Sequence, residues 1–355
     1  MKIKVAVLDD NKNYLSRLSV AFTGKFADKL EIYSFSALEG ALMGLVENKI
    51  DVLLASDTFD VDVAKIPSGC GFAYFVYSPD VKTLRNQKTI CRYQKAEMIY
   101  KEILGIYSEK ATDIGFRMDG DGNIKICTFT SASGGTGAST LAVGFAKRLA
   151  KVGKRVLYLN LESFGNSDLY FSGEGQFSFG DIIFSLKSKK VNLAIKMESY
   201  VKEDSSGVYF YSSSLNALDM AEITKEDIEQ LISAIKTMNS YDYVVIDTGF
   251  SFSSTAVEIF NQSNDIIFVS DGSEVANEKF MRVYNAIEIF DGQKNAKTLS
   301  KISLIYNKFS NKTGKIISDS NIRTLGGIVR YENATTEQVV SQVSNSDDLA
   351  KIMFI

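Results

Sequence analysis

The chain has 355 residues, 45% hydrophobic and 23% charged, which is enough for two domains that each bury a core and is ordinary for a water-soluble globular protein. It contains no histidine, which excludes imidazole acid–base catalysis, imidazole metal ligation and histidine phosphotransfer, and Cys70, Cys91 and Cys127 are too scattered for a disulfide framework or zinc site and read as buried thiols. A net charge of −3 with no lysine–arginine stripe argues against a nucleic-acid partner, and no apolar run approaches the roughly 18 residues that cross a bilayer, so a cytoplasmic location is expected.

The chain opens with an alternation of predicted elements: strand 2–8, helix 12–26, strand 30–35, helix 37–48, strands 50–55 and 72–77, and a helix after Ala96. Asp9 and Asp10 follow the first strand directly, and read either as a metal site or as turn acids capping the first helix. The third strand ends in Ser56-Asp57, and because successive strand residues face opposite sides, Asp57 is expected to be aimed away from the side that Ser56 faces unless the strand end bends. This pattern resembles a response-regulator receiver, a flavodoxin-like domain. The resemblance implies that the acid pair binds Mg²⁺ and that a third-strand aspartate accepts a phosphoryl group, which a later hydroxyl and lysine sense. Ser56 stands at the acceptor position, Ser78 at the hydroxyl and Lys95 at the lysine, with Ala96 where a proline usually follows. No phosphotransfer is expected.

Residues 1–108 are therefore read as one domain, 109–123 as a linker and 124–355 as a second domain. The linker carries the turn-forming cluster Asp119-Gly120-Asp121-Gly122-Asn123. Beyond it strands alternate with helical segments, which predicts an α/β fold with a mostly parallel sheet.

A strand at 124–130, buried on both faces, leads into Ser133-Gly134-Gly135-Thr136-Gly137-Ala138-Ser139-Thr140, and Leu141, Ala142, Phe145, Ala146 and Leu149 then recur at helical spacing. Glycines let consecutive N–H groups curl around an anion while the helix presents its positive end, so strand, loop and helix together point to phosphate binding. The loop resembles the deviant Walker A motif of the MinD/ParA family of P-loop NTPases. Gly134, Gly135, Gly137, Ser139 and Thr140 match that pattern, whereas Ser133 and Ala138 replace its two lysines. By resemblance the cofactors are ATP and Mg²⁺, the loop from Gly134 through Thr136 and Ala138 cradles the phosphates, Ser139 ligates the metal and Thr140 reaches the α-phosphate. A hydrogen bond to a charged group contributes roughly 1.5–3 kcal/mol, so binding should weaken without the lysines. A cation at a phosphoryl-transfer transition state is worth on the order of 10³–10⁵ in rate, so hydrolysis should suffer more, leaving at most a weak ATPase.

Further along, the strand Arg155–Glu162 resembles the family's second strand, normally ending Asp-x-Asp. Asn160 replaces the first acid and cannot act as a base, while Glu162 keeps a carboxylate where the attacking water is positioned, so Glu162 is the catalytic candidate; a plain polar strand end is the alternative. The run Lys187-Ser188-Lys189-Lys190 reads as a solvated loop. Tyr241–Gly249 looks like the family's Walker B strand, with Asp247 at its carboxyl end as the Mg²⁺ ligand through water. The strand 301–308 ends in Asn307-Lys308, similar to the base-reading corner of P-loop GTPases, but Ser310 stands where guanine would need an aspartate. Asn307 therefore either reads an adenine edge or only closes a turn. The tail Ser346–Ile355 is expected to pack on the protein's own core, so membrane contact would be indirect.

A receiver-like domain joined to a MinD/ParA-like domain is similar to the TadZ/CpaE proteins of Flp-type (Tad) pilus assembly. The resemblance implies an ATP-binding homodimer that marks a cell pole and recruits pilus assembly and secretion proteins. A cycling MinD-type ATPase and a receiver-class regulator are the alternatives, the last lacking any helix-turn-helix candidate or basic face.

Overall fold

The computed structural model describes residues 2–110, 124–188 and 192–355. The turn-forming cluster 119–123, with Lys189 and Lys190, lies outside the described residues. The chain divides into two compact units.

The first unit is a sheet with helices packed on it. Strands β1 (Ile3–Leu8), β2 (Leu30–Phe35), β3 (Val52–Ser56), β4 (Gly71–Val76), β5 (Thr83–Leu84) and β6 (Gln87–Cys91) lie in the order β2-β1-β3-β4-β6-β5, parallel except where β5 turns back on β6. The unit adds the helices α1 (Lys12–Lys25), α2 (Leu38–Glu47) and α3 (Ala96–Ser108). β3 and β4 are buried at every position, as strands covered on both faces must be, and their runs are accordingly apolar. Strand β6 has no counterpart among the predicted elements, because only Ile90 of Gln-Lys-Thr-Ile-Cys is buried and the run lacks an apolar pattern.

The second unit holds an eight-stranded sheet. In chain order its elements are β7 (Lys125–Thr130), α4 (Ala138–Lys151), β8 (Val156–Asn160) and α5 (Phe179–Ser188). The chain then supplies α6 (Leu193–Tyr200), which belongs to the first unit, before β9 (Lys202–Glu203) and β10 (Val208–Phe210) return to the second. There follow α7 (Lys225–Met238), β11 (Tyr243–Asp247), α8 (Ser254–Gln262), β12 (Asp265–Ser270), α9 (Glu274–Lys294), β13 (Ile302–Phe309), β14 (Arg323–Val329), α10 (Thr336–Ser344) and α11 (Asp347–Ala350). The strand order is β14-β13-β12-β7-β11-β8-β10-β9, parallel apart from β9. The predicted stripe on α4 is the face that meets the core, with Leu141, Ala142, Phe145, Ala146 and Leu149 all buried beside Val343 of α10. The tail packs as expected, with Leu349 and Ile352 in the same core.

Two further details differ from the sequence reading. Lys187 is not in a solvated loop: it closes α5, pairs with Asp227 and donates to the Glu222 carbonyl at 2.7 Å. Asp227 also completes the capping box of α7 with Thr224, so one carboxylate ties two helices together. In the first unit, Asn11 caps α1, accepting from the Tyr14 N–H at 3.1 Å, and neither Asp9 nor Asp10 does.

Candidate functional site

The loop between β7 and α4 is held from several sides. The single Ser131 hydroxyl proton has the Val269 and Ser133 carbonyls at 2.7 and 2.8 Å as alternative acceptors, and Ser131 Oγ accepts from Thr136 Oγ1 at 2.9 Å. Gly135 and Gly137 have φ of +80° and +86°, the left-handed region in which a side chain is strained, and a Cβ on Gly137 would lie 2.4 Å from Asn307 Nδ2. Helix α4 starts with no side-chain cap and no acid in its first turn, whereas α7, α8, α9 and α10 each carry a Ser or Thr cap. Its leading N–H groups are left for an anion, and the open space over Gly134 and Gly135, with nothing within 4 Å of a built Cβ, leaves room for one.

Ser139, in the first turn of α4, is hydrogen-bonded to Asp247 at the end of β11. Asp247 is 2% exposed and also accepts from Tyr158 Oη at 2.8 Å. Burial pushes its carboxyl up to about 6, against the two hydroxyls that lower it, and the Glu162 charge raises it further. Tyr170 is hydrogen-bonded to Thr140. Glu162 is exposed, so its carboxylate is free to meet a ligand or water at this end of the sheet. Asn160 acts locally. Its Oδ1 accepts the Glu162 N–H at 2.9 Å, and a Cβ on Gly165 would fall 2.2 Å from that oxygen, so its amide closes the turn after β8. The two cavities beside this turn, of about 410 and 480 Å³, share Glu162, Ser163 and Phe164 as a wall.

These residues fit Mg²⁺ and a nucleotide phosphate. Among the described residues no group of three or more carboxylate or thiol side chains could hold a metal ion. A cation here would take Ser139 and Asp247 and draw the rest of its shell from phosphate oxygens and water, the manner in which Mg²⁺ is commonly held. Bound Mg²⁺ would neutralise phosphate charge; the loop N–H groups would orient the phosphates.

Asn307, 3% exposed at the end of β13, donates from Nδ2 to the Thr136 carbonyl at 2.8 Å. One of its two amide hydrogens is therefore committed to the loop, which leaves the other hydrogen and Oδ1 for further partners. Lys308 follows, with Nζ 2.8 Å from the Gly135 carbonyl. Sequence reasoning missed Tyr158, Tyr170 and Lys308; of these only Lys308, adjacent to Asn307, carried a signal.

In the first unit the acid pocket is filled from within. Arg92, just past β6, forms a buried ion pair with Asp9, whose side chain is fully covered. Its guanidinium also lies 4.3 Å from the ring centre of Tyr14 and 4.9 Å from that of Tyr77, and donates to Tyr77 Oη at 2.8 Å. Asp9 accepts the Asn11 N–H at 2.8 Å with its other oxygen. Ser56, at the acceptor position, is fully buried and accepts from Thr58 Oγ1 at 3.0 Å, while Ser78 accepts the Asp80 N–H at 3.2 Å. Lys95 sits at the N-cap of α3.

Residues 1–108 match the family model for the TadZ-like receiver domain, and residues 124–300 match that for an AAA domain. The flagellum site-determining protein YlxH of Helicobacter pylori is 25% identical over 193 residues, 53% of this chain and 60% of that protein. The cell division protein PomZ of Myxococcus xanthus is 24% identical over 196 residues, 54% of this chain and 60% of that protein. The chain thus spans about 60% of the length of these curated relatives. A crystal structure of a ParA family ATPase from Chlorobium tepidum superposes with a TM-score of 0.52 at 23% identity, covering 65% of this chain and 96% of that one, which shows the fold. The first model covers most of the first unit and the second ends at residue 300, short of β13, so the chain joins a segment that matches a TadZ-like receiver domain to one that matches an AAA domain and has the fold of that ParA family ATPase.

Proposed function

We propose that this protein is an ATP·Mg²⁺-binding localisation and assembly factor for a Tad-type pilus secretion machine, acting in the cytoplasm at a cell pole as a nucleotide-dependent homodimer with weak or absent hydrolysis. The observation that carries the reading is the loop itself: an anion cradle with an uncapped helix start and the Ser139–Asp247 pair in place, but with Ser133 and Ala138 where the lysines would be. The TadZ-like match of the receiver segment, and relatives whose names concern site determination and cell division, support the positional part. In this reading the receiver domain supplies a partner surface, and its pocket, closed by Arg92, takes no phosphoryl group.

A cycling ATPase is the second reading, favoured by the exposed Glu162 carboxylate whose charge reaches Asp247. Ala138→Lys separates the two. The scaffold reading expects the parent to bind Mg·ATP, to double its mass in solution with it and to turn over slowly, with a gain of at least about tenfold in turnover for Ala138→Lys. Parent turnover that Ala138→Lys leaves unchanged would establish the cycling reading instead, and dimerisation indifferent to nucleotide would remove the switch.

A further inference from the structure

We propose that Lys308 is a positioning residue for the phosphate loop, a cation delivered from the end of β13 in the place of those that Ser133 and Ala138 do not supply. The inference rests on the nucleotide-binding reading above and deepens it.

Successive residues of a strand point to opposite faces, yet Asn307 and Lys308 both reach the same loop, at 2.8 Å each. The pairing of β13 with β14 explains how. Tyr306 lies opposite Gly327 and Phe309 opposite Val329, so two residues, Asn307 and Lys308, face the single Ile328. This is a bulge, with Lys308 at φ +55°, and a bulge re-aims side chains that a regular strand would send apart.

Lysine is strained in that left-handed conformation, where glycine would be free of strain. The Lys308 side chain is exposed and adds nothing to the core, so its packing does not account for a lysine here. Its partner does. In a trans peptide the C=O and N–H point opposite ways. Holding the Gly135 and Thr136 carbonyls on the β13 side turns the Thr136 and Gly137 N–H groups to the far side, and the positive φ at Gly135 and Gly137 curls them into one concavity. An ammonium on the Gly135 carbonyl also polarises that peptide, making its N–H a stronger donor, and adds positive potential at the loop.

The test measures Mg·ATP affinity of the full chain by calorimetry at two salt concentrations, beside the melting temperature. Lys308→Met and Lys308→Gly are expected to weaken Mg·ATP by roughly tenfold, the loss typical of one charge-assisted hydrogen bond, with a shallower salt dependence. Lys308→Arg should retain affinity within about threefold, and Lys312→Met, an exposed lysine of the next turn, should match the parent. Lys308→Gly should melt at or above the parent temperature because it relieves the backbone. Parent-like affinity in Lys308→Met, or affinity and melting temperature falling together in Lys308→Gly, would overturn the proposal while leaving nucleotide binding intact. A parent that binds no Mg·ATP would remove both readings.

Discussion

At the residue scale, what distinguishes this chain is where its cations and acids have gone. The glycine loop carries Ser133 and Ala138 where the resemblance implied lysines and has Lys308 against its backbone, and Asp9 has an arginine where the resemblance implied Mg²⁺. Arg92 and Asp9 are 2% and 0% exposed, so their charges depend on each other: removing one partner of a buried pair strands the other, at a cost of about 3–5 kcal/mol, whereas replacing both by neutral groups is often nearly harmless. Arg92→Met should therefore lower the unfolding free energy by about 3–5 kcal/mol, and Asp9→Asn combined with Arg92→Met should recover most of it. Urea denaturation of the two single variants and the double variant measures the coupling; losses that simply add would mean that the ion pair is not what holds the pocket shut. The same residues mark a limit of the sequence. Asp9 stood out in the sequence as a metal-site or capping acid because it directly follows a strand, but its actual partner lies 83 residues away, just past a strand whose composition gave no warning.

At the element scale, the β-strands and helices that carry buried stripes were legible, and the turn at Gly135 and Gly137 was legible because glycine adopts a positive φ without strain. The use of Asn160 as a turn closure and of Asn307 as a loop anchor was not, since an amide at a strand end has the same sequence signature whichever partner it finds. Helix α3 shows a further consequence of packing. It carries Glu102, whose carboxyl is pushed up to about 7 by burial, with only a 3.3 Å bond from Gln94 Nε2 and the Lys82 charge acting to lower it. The folded state thus binds a proton that the unfolded chain releases near its ordinary value of 4.5. Between pH 4.5 and about 7 the folded state holds more protons than the unfolded one, so stability from this group falls as pH rises, and above that range the whole penalty is felt. Glu102→Gln should match the parent near pH ~5 and exceed it by roughly 1–3 kcal/mol at pH ~8. Denaturant unfolding at the two pH values checks this, and a variant no more stable than the parent at the higher pH would mean that Glu102 is solvated in its charged form.

At the scale of the whole molecule, the chain does not hand over once from one unit to the other. The receiver match ends at residue 108, yet α6, drawn from between α5 and β9, completes the receiver unit. Ile195 is 2% exposed in the cluster that includes Ile99, Ile103 and Leu104; Lys196 Nζ lies 3.0 Å from Glu109, and the Asn192 N–H donates to the Ser108 carbonyl at 3.1 Å. No sequence pattern assigns α6 to its unit, because a short helix that is buried nearly throughout reads the same whichever core receives it. The structure makes the assignment consequential. Deleting a buried isoleucine side chain down to alanine costs about 2–5 kcal/mol, a large fraction of a small domain's stability. Ile195→Ala in the full chain should therefore raise hydrogen exchange along α3, and a fragment ending at residue 110 should expose the apolar face of α3 and unfold more readily than the same fragment extended by a short linker into residues 192–200. Melting of the two fragments, with exchange in the full-length variant, decides the matter: equal melting temperatures together with unchanged exchange at α3 would show that α6 rests on the receiver unit without supporting it.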